Sequence, residues 1–182
     1  SRVWDAILAA QASKIRTKIN CVLLKGFNDH EFFDLIHLAR DYDLDVRFIE
    51  IMPIGYGKGF EGFDKKELIK KIAEKYPDYQ IEQNIHGNGP ASYISIPGFK
   101  GCIGFIDAIH GKFCDQCNRI RLTSDGILKL CLYYENGIDL KKLLRSRASS
   151  DELLTAMENT IYKIPAEHQF HLTATEGSEE HK

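Results

Sequence analysis

In "TKINCVLLKGFNDHEFFDLIHLARDYDLDVRFIEIMPIG", residues 17–55, two apolar runs flank an amphipathic segment. The runs at 17–29 and 44–55 predict strands, the second stopped by Pro53, and the apolar positions between them recur at helical spacing. A strand, a helix and a strand in this order, with nearly continuous apolar strands, indicate a parallel α/β unit. Ligands of such units collect beyond the carboxyl ends of the strands, so the unit also predicts where an active face lies.

Lys25, Met52 and the loop "GYGKG" at 55–59 follow these strands and are expected near that face. A helix is predicted on each side of the unit, at Arg2–Ser13 and at Asp64–Tyr76. A chain that begins on a helix and contains only two or three α/β units cannot close a barrel alone. We therefore expect the back portion of a larger fold.

The pattern changes after residue 76 to short apolar segments separated by Gly, Pro, Asn and Asp, which predicts antiparallel strands. The five segments are 79–83, 91–98, 101–107, 119–123 and 127–133. The pair Asp125-Gly126 lies between two alternating apolar runs and predicts a hairpin.

The end of the chain is predicted to be helical and then flexible. Helices are expected at Leu140–Leu144 and Asp151–Tyr162, the second capped by Ser149 or Ser150. The sequence after these helices is polar, which predicts a mobile tail.

Composition indicates a globular chain. Its 182 residues are 43% hydrophobic and 27% charged, enough for one sizeable core with or without a smaller appendage. The formal net charge of -2 gives no global signal for nucleic acid or an anionic membrane as a partner. No run approaches the ~18 apolar residues of a spanning helix. Five cysteines, an odd number at uneven spacing, favour a reducing, cytoplasmic location over a disulfide framework.

Three of these cysteines, Cys114, Cys117 and Cys131, form a metal-binding pattern. The C-x-x-C pair projects two sulfurs from one tight turn, and the predicted hairpin returns the third cysteine toward them. A structural zinc site would need a fourth ligand. The candidates are Cys102, His110 and His171. A [4Fe–4S] cluster held by three cysteines would instead keep one iron open for a small molecule, so spacing alone leaves zinc, a cluster and merely packed or reactive thiols open.

Two arginines, Arg119 and Arg121, follow the cysteine pair directly. Alternation on a strand would place both on one face, where two planar guanidinium groups suit a phosphate or a carboxylate. Surface arginines paired with nearby acids are the commoner outcome for an isolated pair of this kind. Beside a metal site that is one protein ligand short, the pair favours an anion that binds at the metal.

The stretch "FCDQCNRIRLTSDGILKLCLY" at 113–133 resembles the C-terminal cluster motif of the radical S-adenosylmethionine GTP 3′,8-cyclases of molybdenum cofactor biosynthesis. Upstream, "KINCVLLKGFND" at 18–29 resembles the K-x-N strand of that family, and "VRFIEIMPIG" at 46–55 resembles its R-F-I-E-x-M strand. The similarity extends from Arg2 to about His171, so it covers nearly the whole chain.

The resemblance implies an α/β fold, with the C-terminal part of an incomplete (β/α)6 TIM-type barrel followed by a smaller α+β domain with antiparallel strands. Residues 1–76 would form the barrel part. Residues 77–172 would form the molybdenum cofactor synthesis C-terminal domain with its auxiliary Fe–S site, and residues 173–182 a flexible tail.

The resemblance also implies the residues of the site. Cys114, Cys117 and Cys131 would ligate an auxiliary [4Fe–4S] cluster whose open iron faces the guanine of GTP, and Arg119 and Arg121 would be catalytic. The GTP-binding residues would be Lys18, Arg47, Arg119, Ile120 and Arg121, and the residues that bind S-adenosylmethionine would be Asn20 and Met52.

Strand alternation agrees with these assignments. Lys18 and Asn20 share one side of their strand and Arg47 lies on the next, so cationic and amide groups would converge at the barrel interior. Glu50 is expected to orient Arg47. Without the motif, a solvated strand-end lysine and a core methionine would be the alternatives for Lys18 and Met52.

The parent enzyme would be a lyase that converts GTP to 3′,8-cyclo-7,8-dihydro-GTP with a radical derived from S-adenosylmethionine at a second [4Fe–4S] cluster. The C-x-x-x-C-x-x-C motif for that cluster is absent from this sequence, so the chain alone is expected to be inactive. Its expected partners are GTP, S-adenosylmethionine and the N-terminal half of its own barrel. Exposed apolar edges favour self-association, for example as a homodimer.

Two other functions stay open. The chain would be a zinc-stabilised binding module if the thiols only held the fold and the arginines contacted nucleic acid. It would be another radical S-adenosylmethionine enzyme with an auxiliary cluster if its substrate were a peptide.

Overall fold

The computed structural model of the protein describes residues 1–84, 86–111, 114, 117, 119–134 and 137–163. The chain divides into two compact units after Gly111. The first unit contains a five-stranded sheet, and the second contains a three-stranded sheet. The predicted tail at 173–182 lies outside the described residues.

A mixed sheet organises the first unit. Its strands are β1 Thr17–Val22, β2 Leu44–Ile49, β3 Gln80–Glu82, β4 Ser92–Ser95 and β5 Ile103–Ile106. They lie in the order β1-β2-β5-β4-β3, with β1, β2 and β5 parallel and β4 antiparallel to both of its neighbours. Strand β2 is therefore hydrogen-bonded on both edges by parallel strands.

The helices of this unit begin where the sequence offers an amphipathic face or a cap. They are α1 Arg2–Ala12, α2 Phe32–Asp41 and α3 Lys65–Lys75, with short 3-10 helices at Asp29–Glu31 and Gly55–Gly59. Phe32, Ile36 and Ala39 of α2 recur at three- and four-residue spacing and are buried. Helix α3 begins at a capping box in which Asp64 and Glu67 exchange side-chain to backbone hydrogen bonds.

The core of the first unit joins the apolar face of the sheet to α2 and α3. Val46 and Phe48 of β2 are buried together with Phe105 of β5 and Ile72 of α3. The Phe48 ring centroid lies 4.9 Å from that of Phe32. One face of the sheet is thereby covered by helices, and the polar side chains of the same strands are left on the other face.

The second unit contains strands β6 Arg121–Leu122, β7 Ile127–Lys129 and β8 Gly137–Asp139, followed by α4 Leu140–Arg145 and α5 Ser150–Ile161. The three strands are antiparallel in the order β6-β7-β8. Gly126 has a φ of +88°, and its N–H donates to the Thr123 carbonyl at 3.0 Å, so the predicted hairpin is confirmed. Helix α5 is capped by Ser149, one of the two predicted caps.

The predicted parallel unit is confirmed, because α2 connects the parallel strands β1 and β2. The prediction that all later segments are antiparallel is wrong for 101–107, since β5 pairs with β2 in parallel and is antiparallel only to β4. Apolar runs indicate a strand but not its direction, which follows here from pairing with β2. The fold is a mixed α/β fold with one mixed and one small antiparallel sheet.

The predicted domain boundary after residue 76 stays a prediction. Strands from both sides of this position, β1 and β2 before it and β3 to β5 after it, belong to one sheet. Within the described ranges, no helix combines the length and the apolar character that crossing a membrane requires.

Replacement of Ile103 tests the core. Ile103 in β5 is fully buried, whereas Ile81 in β3 of the same sheet is 75% exposed. Ile103→Ala should lower the free energy of unfolding by about 2–5 kcal/mol because it leaves a cavity. Ile81→Ala, the matched control, should change it by less than about 0.5 kcal/mol. Urea unfolding followed by circular dichroism measures both, and equal effects would contradict the burial of Ile103 in the core.

Candidate functional site

One face of the first sheet is polar. Alternation places Lys18 and Asn20 of β1 and Asp45 and Arg47 of β2 on this face, opposite the side of Val46 in the core. In the strand register Lys18 lies opposite Asp45, and Asn20 lies opposite Arg47. Three of the residues predicted for the site, Lys18, Asn20 and Arg47, are therefore neighbours on two adjacent strands.

Arg47 is held by its neighbours on both sides. Its Nε donates to Asn20 Oδ1 at 2.8 Å. On the other side, Gly104 of β5 lies opposite both Arg47 and Tyr93 of β4. A Cβ atom at Gly104 would lie 2.8 Å from Arg47 Cγ and 2.8 Å from Tyr93 Cε1, so these side chains already occupy the space above the glycine. One row across four strands, here called the cationic row, consists of Asn20, Arg47, Gly104 and Tyr93.

Lys18 lies beside this row. Its Nζ donates to the carbonyl of His86 and lies 5.8 Å from the centroid of the Tyr93 ring. Burial lowers the pKa of Lys18, and the charge of Arg47 lowers it further, with the Asp45 carboxylate opposing in part. Neither cation is ion-paired with a described carboxylate. Because the two cations repel each other, an anion bound between them would be stabilised by both.

Tyr93 adds a polar group to this face. Its hydroxyl is buried, and among the described residues the Arg47 guanidinium lies close to it, without the geometry of a full hydrogen bond. Burial raises the pKa of Tyr93, whereas a weak hydrogen bond from Arg47 and the charge of its guanidinium lower it by a smaller amount. The Tyr93 ring stacks on His86 with centroids 4.3 Å apart. Arg47 can only donate, so the buried O–H group itself still lacks an acceptor among the described residues, and a ligand that offers one would gain binding energy.

Met52 lies just beyond the carboxyl end of β2, half-buried, and its carbonyl accepts the N–H of Ile54 at 2.8 Å. Its role in binding S-adenosylmethionine stays a prediction, because nothing in the geometry identifies a ligand there. Lys25, also expected near the active face, instead contacts Glu61 at 2.7 Å and Glu67 at 3.3 Å. Those two carboxylates raise its pKa. Lys25 is thus engaged by acids of its own chain.

The expectation that Glu50 orients Arg47 is wrong. Arg47 bonds to Asn20, whereas buried Glu50 accepts the N–H groups of Ile109 at 2.7 Å and His110 at 3.2 Å through Oε2. Its Oε1 also contacts Nδ1 of the exposed His110 ring. Positions three apart on a strand point to opposite faces, which explains why Glu50 and Arg47 do not meet. Glu50 therefore holds the segment that precedes the cysteine motif.

The cysteine motif lies in the second unit. Cys114 and Cys131 are half-buried, Cys117 is exposed, and all three are free thiols. The N–H of Cys117 donates to the carbonyl of Cys114 at 3.1 Å, so the backbones of the two residues lie close together. Cys131 follows β7, and its Sγ accepts the N–H of Tyr133 at 3.4 Å. Backbone N–H groups near thiolates of this kind reduce the cost of their charge.

The arginines lie next to the hairpin. Arg121 begins β6 opposite Lys129 of β7, while Arg119 precedes the two-residue strand, so the predicted strand at 119–123 is shorter than expected. Both arginines and Ile120 are exposed. They are accessible to a ligand.

The three candidates for a zinc ligand have different surroundings. His110 contacts Glu50, His171 lies outside the described residues, and Cys102 lies close to Asp45 and His86. In the described part of the chain this last trio is the group of possible ligands whose donor atoms all lie within 4.8 Å of one another. The motif cysteines do not form such a group, and sulfurs on one zinc ion lie about 3.8 Å apart.

A family model described as Molybdenum Cofactor Synthesis C matches residues 44–170, more than half of the chain. The chain belongs to the Molybdenum Cofactor Synthesis C family. The match begins at Leu44, the first residue of β2, and therefore includes Arg47, the cysteine motif and the two arginines. Lys18 and Asn20 of β1 precede it.

Several curated proteins are similar to the chain over almost its full length. It is 43% identical over 169 residues to a GTP 3′,8-cyclase of Clostridium perfringens (strain 13 / Type A), covering 93% of this chain and 52% of the relative. It is 40% identical over 169 residues to a GTP 3′,8-cyclase of Moorella thermoacetica, covering 91% and 52%. Identity to Molybdenum cofactor biosynthesis protein 1 of Dictyostelium discoideum is 38% over 181 residues, covering 91% and 28%.

The resemblance inferred from the three sequence motifs is thus confirmed. The chain spans about half the length of the GTP 3′,8-cyclases that it matches.

The sequence did not predict three residues of the polar face, which are His86, Tyr93 and Gly104. Gly104 carried a usable signal, because a glycine inside an apolar strand often marks a close approach of neighbouring groups. Tyr93 and His86 carried none, since their contact depends on the path of the β3–β4 loop.

The contact between Glu50 and His110 predicts a pH dependence. Glu50 raises the pKa of His110 above its ordinary value, so the contact stabilises the fold below about pH 6.5 and is lost as the pH rises through the raised pKa. An NMR titration of the His110 ring should show a higher pKa in the parent chain than in Glu50→Gln. Glu74→Gln, an exposed change on α3, is the control. An unchanged His110 pKa in Glu50→Gln would contradict the contact.

Proposed function

We propose that this chain is the C-terminal half of a radical S-adenosylmethionine GTP 3′,8-cyclase, which converts GTP to 3′,8-cyclo-7,8-dihydro-GTP. The observation that carries the proposal is the cationic row, where Asn20 fixes Arg47 beside Lys18. The names of the similar proteins, GTP 3′,8-cyclase, agree with it. The first sheet would supply strands of an incomplete (β/α)6 barrel, with the polar face as its interior.

Lys18 and Arg47 would bind the phosphates of GTP. Arg47 offers a planar fork for two parallel hydrogen bonds, and Lys18 offers a compact charge. Both arise from strands within a sheet rather than from loops, so little conformational entropy is lost when an anion binds. Asn20 and Met52 would contact S-adenosylmethionine, with Met52 just past the carboxyl end of β2.

The motif cysteines fit an auxiliary [4Fe–4S] cluster. Cys114, Cys117 and Cys131 are unpaired thiols, and a backbone hydrogen bond joins the first two residues. When bound, the cluster would supply an iron that is open to a small molecule. The half-buried positions of Cys114 and Cys131 would shield part of it from water.

Arg119 and Arg121 would contact the substrate and position it for reaction, with Ile120 packing beside it. Arg121 lies opposite Lys129 in the hairpin register, and two further steps in the same register would place Arg119 opposite Cys131. Both guanidinium groups would then lie on the side of the hairpin that carries Cys131. A fixed positive charge there would stabilise negative charge that develops on the substrate.

The radical step requires groups that this sequence lacks. It contains no C-x-x-x-C-x-x-C motif for the cluster that reduces S-adenosylmethionine. We therefore propose that the chain alone binds the auxiliary cluster and substrate without turnover, and that catalysis needs the N-terminal half of the barrel.

Anaerobic reconstitution with iron and sulfide tests the cluster. The chain should take up about four irons and four sulfides and gain a broad visible absorbance. Cys114→Ser, Cys117→Ser and Cys131→Ser should each lose most of it, because each removes a ligand. Cys21→Ser, a half-buried thiol on β1, is the matched control and should retain it. Tight binding of one zinc at the motif without uptake of iron would overturn the cluster.

Substitution of the arginines tests the substrate. In reconstituted chain, Arg119→Ala and Arg121→Ala should keep the iron content but weaken GTP binding by tenfold or more, since each contact is charge-assisted and worth about 1.5–3 kcal/mol. The change that GTP causes in the EPR spectrum of the cluster measures this. Arg145→Ala, an exposed change on α4, is the control. A loss of iron equal to the loss of GTP binding would show a structural role, and a response to a peptide but not to GTP would contradict the substrate.

A further inference from the structure

A second group of possible metal ligands lies near the amino ends of the same strands. Asp45 is the second residue of β2, Cys102 directly precedes β5, and His86 lies in the β3–β4 loop. One donor atom from each lies within 4.8 Å of the others. Met52 follows the opposite end of β2, so this group lies away from the end of the strand at which ligands of parallel sheets collect.

Two of the three side chains are buried, and Cys102 is half-buried. The side chains of Asp45 and His86 are only 6% and 8% exposed. Asp45 Oδ1 accepts the N–H of Cys102 at 3.1 Å, and its Oδ2 lies 3.0 Å from His86 Nδ1. The stacked Tyr93 ring fixes the plane of the imidazole. A buried carboxylate is costly unless a cation or several hydrogen bonds compensate its charge.

Arg16 supplies only part of that compensation. Its Nη2 lies 2.8 Å from His86 Nδ1 and 3.7 Å from Asp45 Oδ2, and its side chain is 62% exposed. Nδ1 cannot donate to Asp45 and accept from Arg16 at the same time, because a single ring nitrogen is either protonated or not. One of the two contacts is therefore unsatisfied in either tautomer. A cation bound directly by the imidazole and the carboxylate would remove this conflict.

A cavity of about 640 Å³ opens onto the group. Asp45, His86 and Cys102 line it together with Arg16 and Lys14. The cavity gives an ion a path to the three donors, and it leaves room for Arg16 to turn away. A ligand or a water molecule could occupy a fourth coordination position from the same side.

We propose that Asp45, His86 and Cys102 form a binding site for a zinc-type divalent ion, with a fourth position open to the cavity. Oxygen, nitrogen and sulfur together suit zinc better than calcium or magnesium, which prefer oxygen alone. Donors around a tetrahedral zinc ion lie about 3.3–3.8 Å apart, so donor pairs as far apart as 4.8 Å would have to approach by at most about 1.5 Å. This closure is small for a loop histidine and a side-chain thiol.

Binding would displace a proton. Burial, with the charges of Asp45 and Glu82, raises the pKa of the Cys102 thiol to about 11, so the free site holds a protonated thiol. Zinc binds the thiolate, and its affinity therefore rises with pH. The ion would also tie the β3–β4 loop to β2 and β5 through His86, whose carbonyl accepts the Lys18 hydrogen bond.

Zinc titration of the full chain tests the site once the motif cysteines are replaced. In a Cys114→Ser, Cys117→Ser, Cys131→Ser background, competition with a chromogenic chelator should show one zinc per chain. Cobalt should give a thiolate charge-transfer band. Adding Cys102→Ser or His86→Gln should weaken zinc binding by more than about 100-fold, because loss of a partner outside the ligand set costs only about 10–100-fold. Adding Cys21→Ser should have no effect, and circular dichroism checks that each variant is folded.

The Arg16→Gln variant separates a metal site from a buried salt-bridge cluster. If zinc competes with the guanidinium for Nδ1 and Asp45, removal of Arg16 should tighten zinc binding several-fold. An affinity that is unchanged or weaker would count against the site. So would the absence of zinc binding in the triple-serine background, or binding that survives both Cys102→Ser and His86→Gln. None of these outcomes would bear on the iron–sulfur cluster, because its proposed ligands are absent from the triple-serine background.

Discussion

The register of β2 is the constraint on which the rest of the first unit depends. Because side chains alternate, Val46 and Phe48 can fill the core only if Asp45 and Arg47 face the other way. Both edges of β2 are hydrogen-bonded by parallel strands, so the strand cannot shift without breaking two ladders. A slip by one residue would bury the guanidinium and expose the core, which is why core packing and the position of the polar groups are specified by the same residues.

A consequence of this arrangement is that one strand carries two different polar environments. Near its amino end, Asp45 faces an imidazole and a thiol in a buried cluster. Two residues later, Arg47 lies in a row with an amide and a glycine. The His86 loop touches both, through its ring at the first and its carbonyl beside the second. Any rearrangement of that loop is therefore expected to reach both places.

Local patterns predicted the parts of the fold that local interactions decide. The hairpin at Asp125-Gly126 and the Ser149 cap depend on turn chemistry within a few residues, and the parallel pair around α2 depends on a strand, helix and strand that follow one another directly. The direction of β5 was missed because it depends on a partner far away in the sequence. On the polar face, alternation and family motifs gave Lys18 and Arg47, whereas Tyr93 and His86 reach it through tertiary packing that periodicity does not encode.

Asn20 orients Arg47 without neutralising it. An aspartate at the same position would hold the guanidinium at least as firmly, but it would also satisfy its charge and leave an arriving anion little to gain. Because the amide is neutral, it orients the guanidinium and leaves its charge uncompensated, so an anion bound there would supply the counter-charge. The row therefore presents an oriented guanidinium without a carboxylate partner in the described part of the chain. Its attraction for polyanions should be strongest in dilute electrolyte and should fade as salt ions take over the counter-charge.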